Sequence, residues 1–401
     1  VRVHAVGATQ LRVRLAVTGP DTVSVAAYDT EGDPVATIAA LVSRPVSADQ
    51  LDAAQPHQAL FQVDWPVLPL PDTAPTQRVA VLGPDTGGLV ESLTAAGVTA
   101  SGHTDLAALN AAITEHAPAP DVVLAAITSE PAEGEDLAAA AHASAARVLD
   151  LVRSWLAAGQ PTGSRLAILT RGAVAVTAAA PLPGLAAAPV WGLVRAAQAE
   201  HPDQFVLIDL DDEPHSITAL AGALATAEPQ LAIRAGAVRV PRLAGAARSD
   251  ARPAVRFDPA GTVLVTGAAG SLGRSLTRHL VTEHGVRRLL LVSRRGTADP
   301  DAVSLAADLA ELGARVSVAA CDVADRAAVA DLLRRIPDEH PLTAVVHTAG
   351  VLDDGTVTAL TDEQLDRVLR PKVDGAVHLH ELTRRFPLSA FVLFSSAAGT
   401  L

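Results

Sequence analysis

The strongest constraint on the fold is the run Thr266-Gly267-Ala268-Ala269-Gly270-Ser271-Leu272-Gly273. It follows the apolar stretch 262–265 and precedes a helix-like run beginning at Arg274. A strand, a glycine turn and a helix in that order form a phosphate cradle. Gly267 lets the chain turn sharply, Gly270 lets backbone approach a pyrophosphate, and Gly273 lets helix and strand pack closely. The helix N-terminus adds unpaired N–H groups and a positive dipole end.

Strands and helices interleave downstream of this turn. Expected strands are Thr262–Thr266, Arg288–Ser293, Arg315–Ala320, Ala344–His347 and Ala390–Phe394. Expected helices are Leu272–His284, Asp301–Leu312, Asp325–Arg335, Thr361–Leu369 and Lys372–Thr383. This alternation reads as an α/β, doubly wound parallel sheet over 258–401. A second βα series precedes it within 51–244, with strands at Arg78–Leu82, Val122–Ala126, Arg165–Thr170, Phe205–Asp209 and Gln230–Arg234 and helices including Leu137–Ala157 and Ala188–Glu200. Its first turn, Gly83-Pro84-Asp85-Thr86-Gly87-Gly88, places proline where the cradle would form. It therefore reads as a degenerate, structural Rossmann-like unit. Residues 245–257 are rich in small residues and read as a linker. Residues 1–50 read as a short β segment of three strands, too few for a comfortable domain of its own, with a turn at Glu31-Gly32-Asp33-Pro34.

At 401 residues and 49% apolar, the chain suits two or three domains. A net charge of −13 without a basic run argues against nucleic acid or an anionic membrane as partner. No stretch approaches the ~20 apolar residues of a membrane span. One cysteine, Cys321, suits a reducing cytoplasm. Methionine is absent even from position 1, so the chain reads as a piece of a longer polypeptide.

Candidate site residues cluster at the carboxyl ends of the second series. Ser293-Arg294-Arg295 ends its second strand. Two arginines can fork onto a ribose 2′-phosphate, where an acidic residue would select the free hydroxyl, so the cofactor expected is NADPH; a solvated basic loop is the other reading. Asp322-Val323 ends the third strand, and Asp322 can accept the adenine amino group, cap the following helix, or both. His347-Thr348-Ala349-Gly350 ends the fourth and leaves room for a nicotinamide ribose; His347 also reads as a satisfied core histidine, and no acid–base role is assigned to it. Lys372 is the one lysine in an arginine-rich chain; it reads either as a solvated side chain or as a titratable amine that arginine could not supply. Ser396 follows the fifth strand, where a hydroxyl can stabilise negative charge developing on a carbonyl oxygen. No metal-ligand spacing appears.

In this order, Thr266–Gly273, Ser293–Gly296, Cys321–Val323, His347–Asp354, Leu369–Asp374 and Phe391–Gly399 resemble the ketoreductase domain of a bacterial modular type I polyketide synthase, an extended short-chain dehydrogenase/reductase. The likeness runs from about residue 60 to 401. The upstream unit, with Phe61–Trp65 and Pro189-Val190-Trp191-Gly192-Leu193-Val194-Arg195, resembles that family's cofactor-free structural half. Residues 1–50 resemble the tail of a dehydratase hotdog domain.

The resemblance implies NADPH-dependent reduction of a β-ketoacyl thioester carried on the phosphopantetheine of an acyl carrier protein, with neighbouring synthase domains, a dehydratase among them, as partners. It implies that Ser396 hydrogen-bonds the substrate ketone and that Lys372 supports a catalytic tyrosine. The family's tyrosine lies about a dozen residues past the serine, with an asparagine shortly after. The sequence ends at Leu401, before that spacing is reached, and its single tyrosine is Tyr28. The chain is therefore expected not to catalyse reduction by itself. Leu352-Asp353-Asp354 matches the signature of B-type enzymes, which implies a D-configured hydroxyl. The alternatives are a non-catalytic structural or docking piece of a synthase and a free-standing short-chain dehydrogenase.

Overall fold

A computed structural model describes residues 2–5, 10–19, 22–42, 60–70, 77–84, 88–127, 136–159, 161, 163–177, 179–246 and 256–399. The Asp85–Gly87 part of the first glycine turn and most of the expected 245–257 linker lie outside these residues. The chain divides into two compact units, Val1–Gln62 with Gly245–Arg248, and Val63–Ala244 with Ser249–Leu401.

The first unit holds β1 (Arg2–Val3), β2 (Arg12–Gly19), β3 (Thr22–Tyr28) and β4 (Pro34–Val42). They form an antiparallel sheet ordered β1-β4-β3-β2, one strand more than the alternation signalled. Asp29 Oδ1 accepts from the backbone N–H groups of Glu31, Gly32 and Asp33, which closes the expected turn between β3 and β4. The boundaries between the units fall within two short strands, β5 (Phe61–Asp64) and, later in the chain, Arg242–Gly245.

The larger unit contains two α/β halves. The first runs β6 (Arg78–Leu82), α1 (Leu89–Ala95), β7 (Thr99–His103), α2 (Leu106–Thr114), β8 (Val122–Ala126), α3 (Leu137–Ala157), β9 (Arg165–Arg171), α4 (Ala188–Glu200), β10 (Phe205–Leu210), α5 (Pro214–Leu224), β11 (Gln230–Arg234) and β12 (Ala237–Arg239), followed by β13 (Arg242–Gly245). Its sheet order is β12-β11-β10-β9-β8-β6-β7, parallel except for β12. Only one strand, β7, lies beyond β6, so one arm of the doubly wound arrangement is short. The edge strand β7, Thr99-Ala100-Ser101-Gly102-His103, has no apolar run and gave no signal in the sequence. Gly83 and Gly88 have positive φ but nothing within 4 Å of a Cβ placed on either, so neither marks a close backbone approach.

The second half runs β14 (Thr262–Thr266), α6 (Ser271–Thr282), β15 (Arg288–Ser293), α7 (Pro300–Glu311), β16 (Arg315–Ala320), α8 (Arg326–Arg334), β17 (Leu342–His347), α9 (Asp362–Leu369), a π turn (Arg370–Asp374), α10 (Gly375–Thr383) and β18 (Ala390–Leu393). The sheet is fully parallel, ordered β16-β15-β14-β17-β18. The central strand β14 is buried throughout, as a parallel strand covered on both faces requires. On α6, Gly273, Thr277, Leu280 and Val281 are buried, one face at helical spacing.

Two expectations are corrected here. The break between two helices at Pro371 is instead a continuous helical run through the π turn, so Lys372 sits inside the turn rather than at a helix start. Pro371 has no N–H to donate and crowds the preceding turn, and widening that turn accommodates it. The cap of α8 is Asp325, whose carboxylate accepts from Ala327 and Ala328, and not Asp322. Asp322 instead accepts from Ala324 N at 3.0 Å in the turn before the helix.

Candidate active site at the carboxyl edge

The strand order reverses at β14, between β15 and β17, and the loops after all five strands lie at the carboxyl edge of the sheet. A crevice for a nucleotide belongs at that switch. Gly267 has φ +67°, and a Cβ there would stand 2.7 Å from Ala349 N and 2.8 Å from the Thr348 carbonyl carbon. The glycine turn after β14 is thus pressed against the loop after β17. A Cβ on Gly273 would stand 2.6 Å from Gly267 O and from Ala268 Cα, so the first turn of α6 packs on the glycine turn itself. Gly270 differs: its only near neighbour would be Gly267 O at 3.3 Å, which leaves the mouth of the turn open. Ser271 opens α6, and Leu272 is 63% exposed beside it.

His347 locks this arrangement. It is 4% exposed, and both ring nitrogens are engaged. Nε2 faces Pro371 O at 2.9 Å, and Nδ1 faces Thr266 Oγ1 at 2.7 Å. A carbonyl only accepts, so Nε2 carries the proton and Nδ1 accepts from the threonine hydroxyl. Ala349 N donates to the same Thr266 Oγ1 at 3.3 Å, and Thr348 Oγ1 donates to Thr266 O at 2.7 Å. Burial lowers the imidazole pKa, while the bond to Pro371 O pulls the other way. A Cβ on Gly375 would meet His347 Cε1 at 3.1 Å and Val323 Cγ2 at 2.9 Å, so α10 seats directly on the ring. His347 is a structural keystone joining β14, β17 and the turn that bears Lys372.

Lys372 is exposed and lies along the β17 loop, its Cε 3.4 Å from the position of a Cβ on Gly350. Its turn is held from the other side as well. His142 of α3 stands between Asp366 Oδ1 at 2.7 Å and Asp374 Oδ1 at 2.8 Å. Ser396, exposed, follows β18, and Phe394 N donates to His347 O at 3.0 Å.

At the second strand, Gly296 has φ +53°, and a Cβ there would strike Ala320 N at 2.5 Å. Its N–H donates to Ser293 Oγ at 3.0 Å, which fixes the loop carrying the arginines. Arg295 pairs with Asp299 at 3.0 Å, and Asp299 also caps α7. Arg294 is exposed and has no partner among the described residues. Asp322 is 3.8 Å from Arg370. Val323 is buried, and its carbonyl faces His378 Nδ1 at 3.1 Å.

The three residues Leu352, Asp353 and Asp354 face different surroundings. Asp353 accepts from Gln364 Nε2 at 3.0 Å and pairs with Arg367, so its carboxylate is spent on α9. Leu352 is 83% exposed, and Asp354 is exposed. The segment beyond is anchored in the first half: Val357 N donates to the Glu200 carboxylate at 2.9 Å, and Val357 is buried in that half's core.

The carboxyl edge of the first sheet is filled by its own side chains. Asp209, fully buried, accepts from Thr170 Oγ1 at 2.6 Å and Ala173 N at 2.9 Å and is ion-paired with Arg234. Trp191 Nε1 donates to Thr170 Oγ1 at 3.0 Å, and Trp65 packs edge-on to Trp191 with ring centroids 6.2 Å apart. The two aromatic stretches noted upstream therefore meet in one core.

Residues 261–401 match the KR domain family, and residues 63–243 match the family described as polyketide synthase extender module SpnB, Rossmann fold domain. All of the chain aligns with polyketide synthase GfsE of Streptomyces halstedii at 48% identity, and with spectinabilin polyketide synthase system protein NorA′ of Streptomyces orinoci at 49%. It spans 10% and 12% of their lengths, respectively. Among solved structures, A-type ketoreductases from a modular polyketide synthase superpose with a TM-score of 0.71 at 37% identity, covering 85% of this chain and 75% of theirs. The first ketoreductase of the tylosin synthase gives 0.70 at 33%, covering 86% and 74%. The chain belongs to the ketoreductase domains of modular polyketide synthases, as the sequence resemblance implied. Such domains are NAD(P)-dependent Rossmann-fold reductases. Among the described residues no helix is long and apolar enough to cross a membrane, and no group of three His, Cys, Asp or Glu could hold a metal.

Proposed function

We propose that this chain carries the part of a ketoreductase that binds NADPH and presents Ser396 and Lys372 to an acyl-carrier-protein-bound β-ketoacyl thioester, which is reduced to the D-configured β-hydroxyacyl product. The observation that carries this reading is the pairing at the sheet's switch point of a turn open at Gly270 with rigid close packing at Gly267 and Gly273. That shape fits a pyrophosphate against backbone.

Gly267, Gly270, Ser271 and Leu272 would line the pyrophosphate, with the buried Thr266 and Gly273 packing the turn behind them. Arg294, unpaired among the described residues, and Arg295 would take the 2′-phosphate, with Ser293 fixing their loop. Asp322 and Val323 would flank the adenine, and His347, Thr348, Ala349 and Gly350 the nicotinamide ribose. When bound, NADPH supplies the hydride for the ketone carbon. Ser396 donates to the ketone oxygen, where negative charge develops. Lys372, which lies along Gly350, supports the proton donor that the family places after the serine. Leu352 and Asp354 are the exposed members of the B-type signature and face the entering acyl chain, while Asp353 holds the loop. The dehydratase likeness of residues 1–50 agrees with a D-alcohol passed on for dehydration in a cytoplasmic multidomain synthase.

The test is NADPH consumption by a polypeptide extended past Leu401, given a β-ketoacyl thioester, with chiral analysis of the alcohol. A D-alcohol supports the whole reading. An L-alcohol keeps the reductase and discards the stereochemical part. Bound NADPH without turnover favours a non-catalytic docking role.

A further inference from the structure

Arg195 ends the stretch Pro189–Arg195 on α4, in the half that lacks the cradle, yet its side chain reaches the other half. Its Nη1 donates to Gly399 O at 2.7 Å. Gly399 closes the 3₁₀ turn Ala397–Gly399, and its own N–H donates to Ser396 O at 3.1 Å. The turn that follows Ser396 is therefore tied to the serine's carbonyl at one end and to Arg195 at the other.

The arginine does not follow the loop, because it is itself pinned. Nε donates to Gln230 Oε1 at 2.9 Å, and the guanidinium carbon stands 5.4 Å from the centroid of the Trp191 ring. Trp191 in turn is bonded to Thr170 and, through it, to the fully buried Asp209. A line of hydrogen bonds and one cation–π contact thus runs from the core of the first half to the loop of Ser396. A guanidinium holds such geometry with little remaining freedom, and its bond to a carbonyl is charge-assisted.

We propose that Arg195 is a positioning residue that fixes the Ser396 loop for reaction with the ketone. This rests on the role given to Ser396 above. A hydroxyl that must meet a developing oxyanion tolerates only about 0.5 Å of error, and a displacement of about 1 Å can cost up to about a hundredfold in rate.

The test uses the natural polypeptide that carries this chain. Arg195→Ala lowers kcat about tenfold while KM for the thioester and Kd for NADPH stay within about twofold. Amide exchange accelerates across residues 394–399 and not across Thr262–Thr266. Unchanged kcat with unchanged exchange overturns the proposal. So does a parallel loss of kcat, NADPH affinity and thermal stability, which would make Arg195 a general support. If Arg195→Ala does not fold, Gln230→Ala unhooks Nε and leaves the charge in place; a loss of about two- to fivefold in kcat alone is then expected, and none refutes it. If the unmodified protein reduces no ketone, the proposed function fails, and the exchange comparison still decides whether Arg195 holds the loop.

Discussion

Gly267→Ala tests the claim that the glycine turn is specified by close approach as well as by conformation. Gly267 and Gly285 share φ +67°, but a Cβ at Gly285 meets nothing within 4 Å, while one at Gly267 meets three backbone atoms at 2.7–2.8 Å. Alanine in the left-handed region costs about 1–2 kcal/mol, and both substitutions carry that cost. Forcing a methyl against backbone that cannot swing aside adds about 1–3 kcal/mol, and only Gly267→Ala carries it. The expected losses are about 1–2 kcal/mol at Gly285 and about 2–5 kcal/mol at Gly267. Urea unfolding at constant m-value reads both. Fluorescence titration with NADPH adds a second readout, because moving Ala349 away from Gly267 disturbs the pocket proposed for the nicotinamide ribose. Equal destabilisation by the two substitutions would refute the close-approach argument.

Arg294→Ala is expected to weaken NADPH about tenfold and NADH less than twofold; Arg295→Ala, whose side chain already leans on Asp299, should discriminate less, and equal losses for both cofactors would discard the 2′-phosphate reading. Asp209→Ala leaves Arg234 and Thr170 without their buried partner and should cost about 3–5 kcal/mol in a denaturation experiment. Stability should fall on acidification through His347: above its ordinary value of 6.5 neither state is charged, and as pH falls from there through the lowered native value the unfolded chain binds a proton that the folded one refuses. His347→Gln should flatten that part of the pH–stability curve. Burial pushes the Cys321 thiol up to about 11, with Asp322 adding to the effect, so thiol reagents at pH 8 should label the unfolded chain only.

The five strands of the second half and the glycine turn after β14 were legible in local sequence patterns. β14, β15 and β17 are buried apolar runs, and β16 alternates exposed with half-buried residues; the glycines and helix faces around them lie within a dozen residues of one another, so local order carries their signal. The carboxyl-edge position of Arg294, Asp322, His347 and Ser396 followed from strand ends alone, because parallel strands joined by right-handed crossovers all finish at one edge. The edge strand β7 and the π turn at Lys372 did not follow: the first lacks an apolar pattern, and in the second the helical faces before and after Pro371 are joined by packing on His347 and His142.

Tertiary structure alone decided which distant residues support the site. Arg195 meets Gly399 across 204 positions, His142 meets Asp374 across 232, and Glu200 meets Val357 across 157. On their own helices these are an arginine, a histidine and a glutamate like others in the chain. Nothing within a helical turn distinguishes a residue that bridges two sheets from one that faces water, because that difference is made only when the two halves pack.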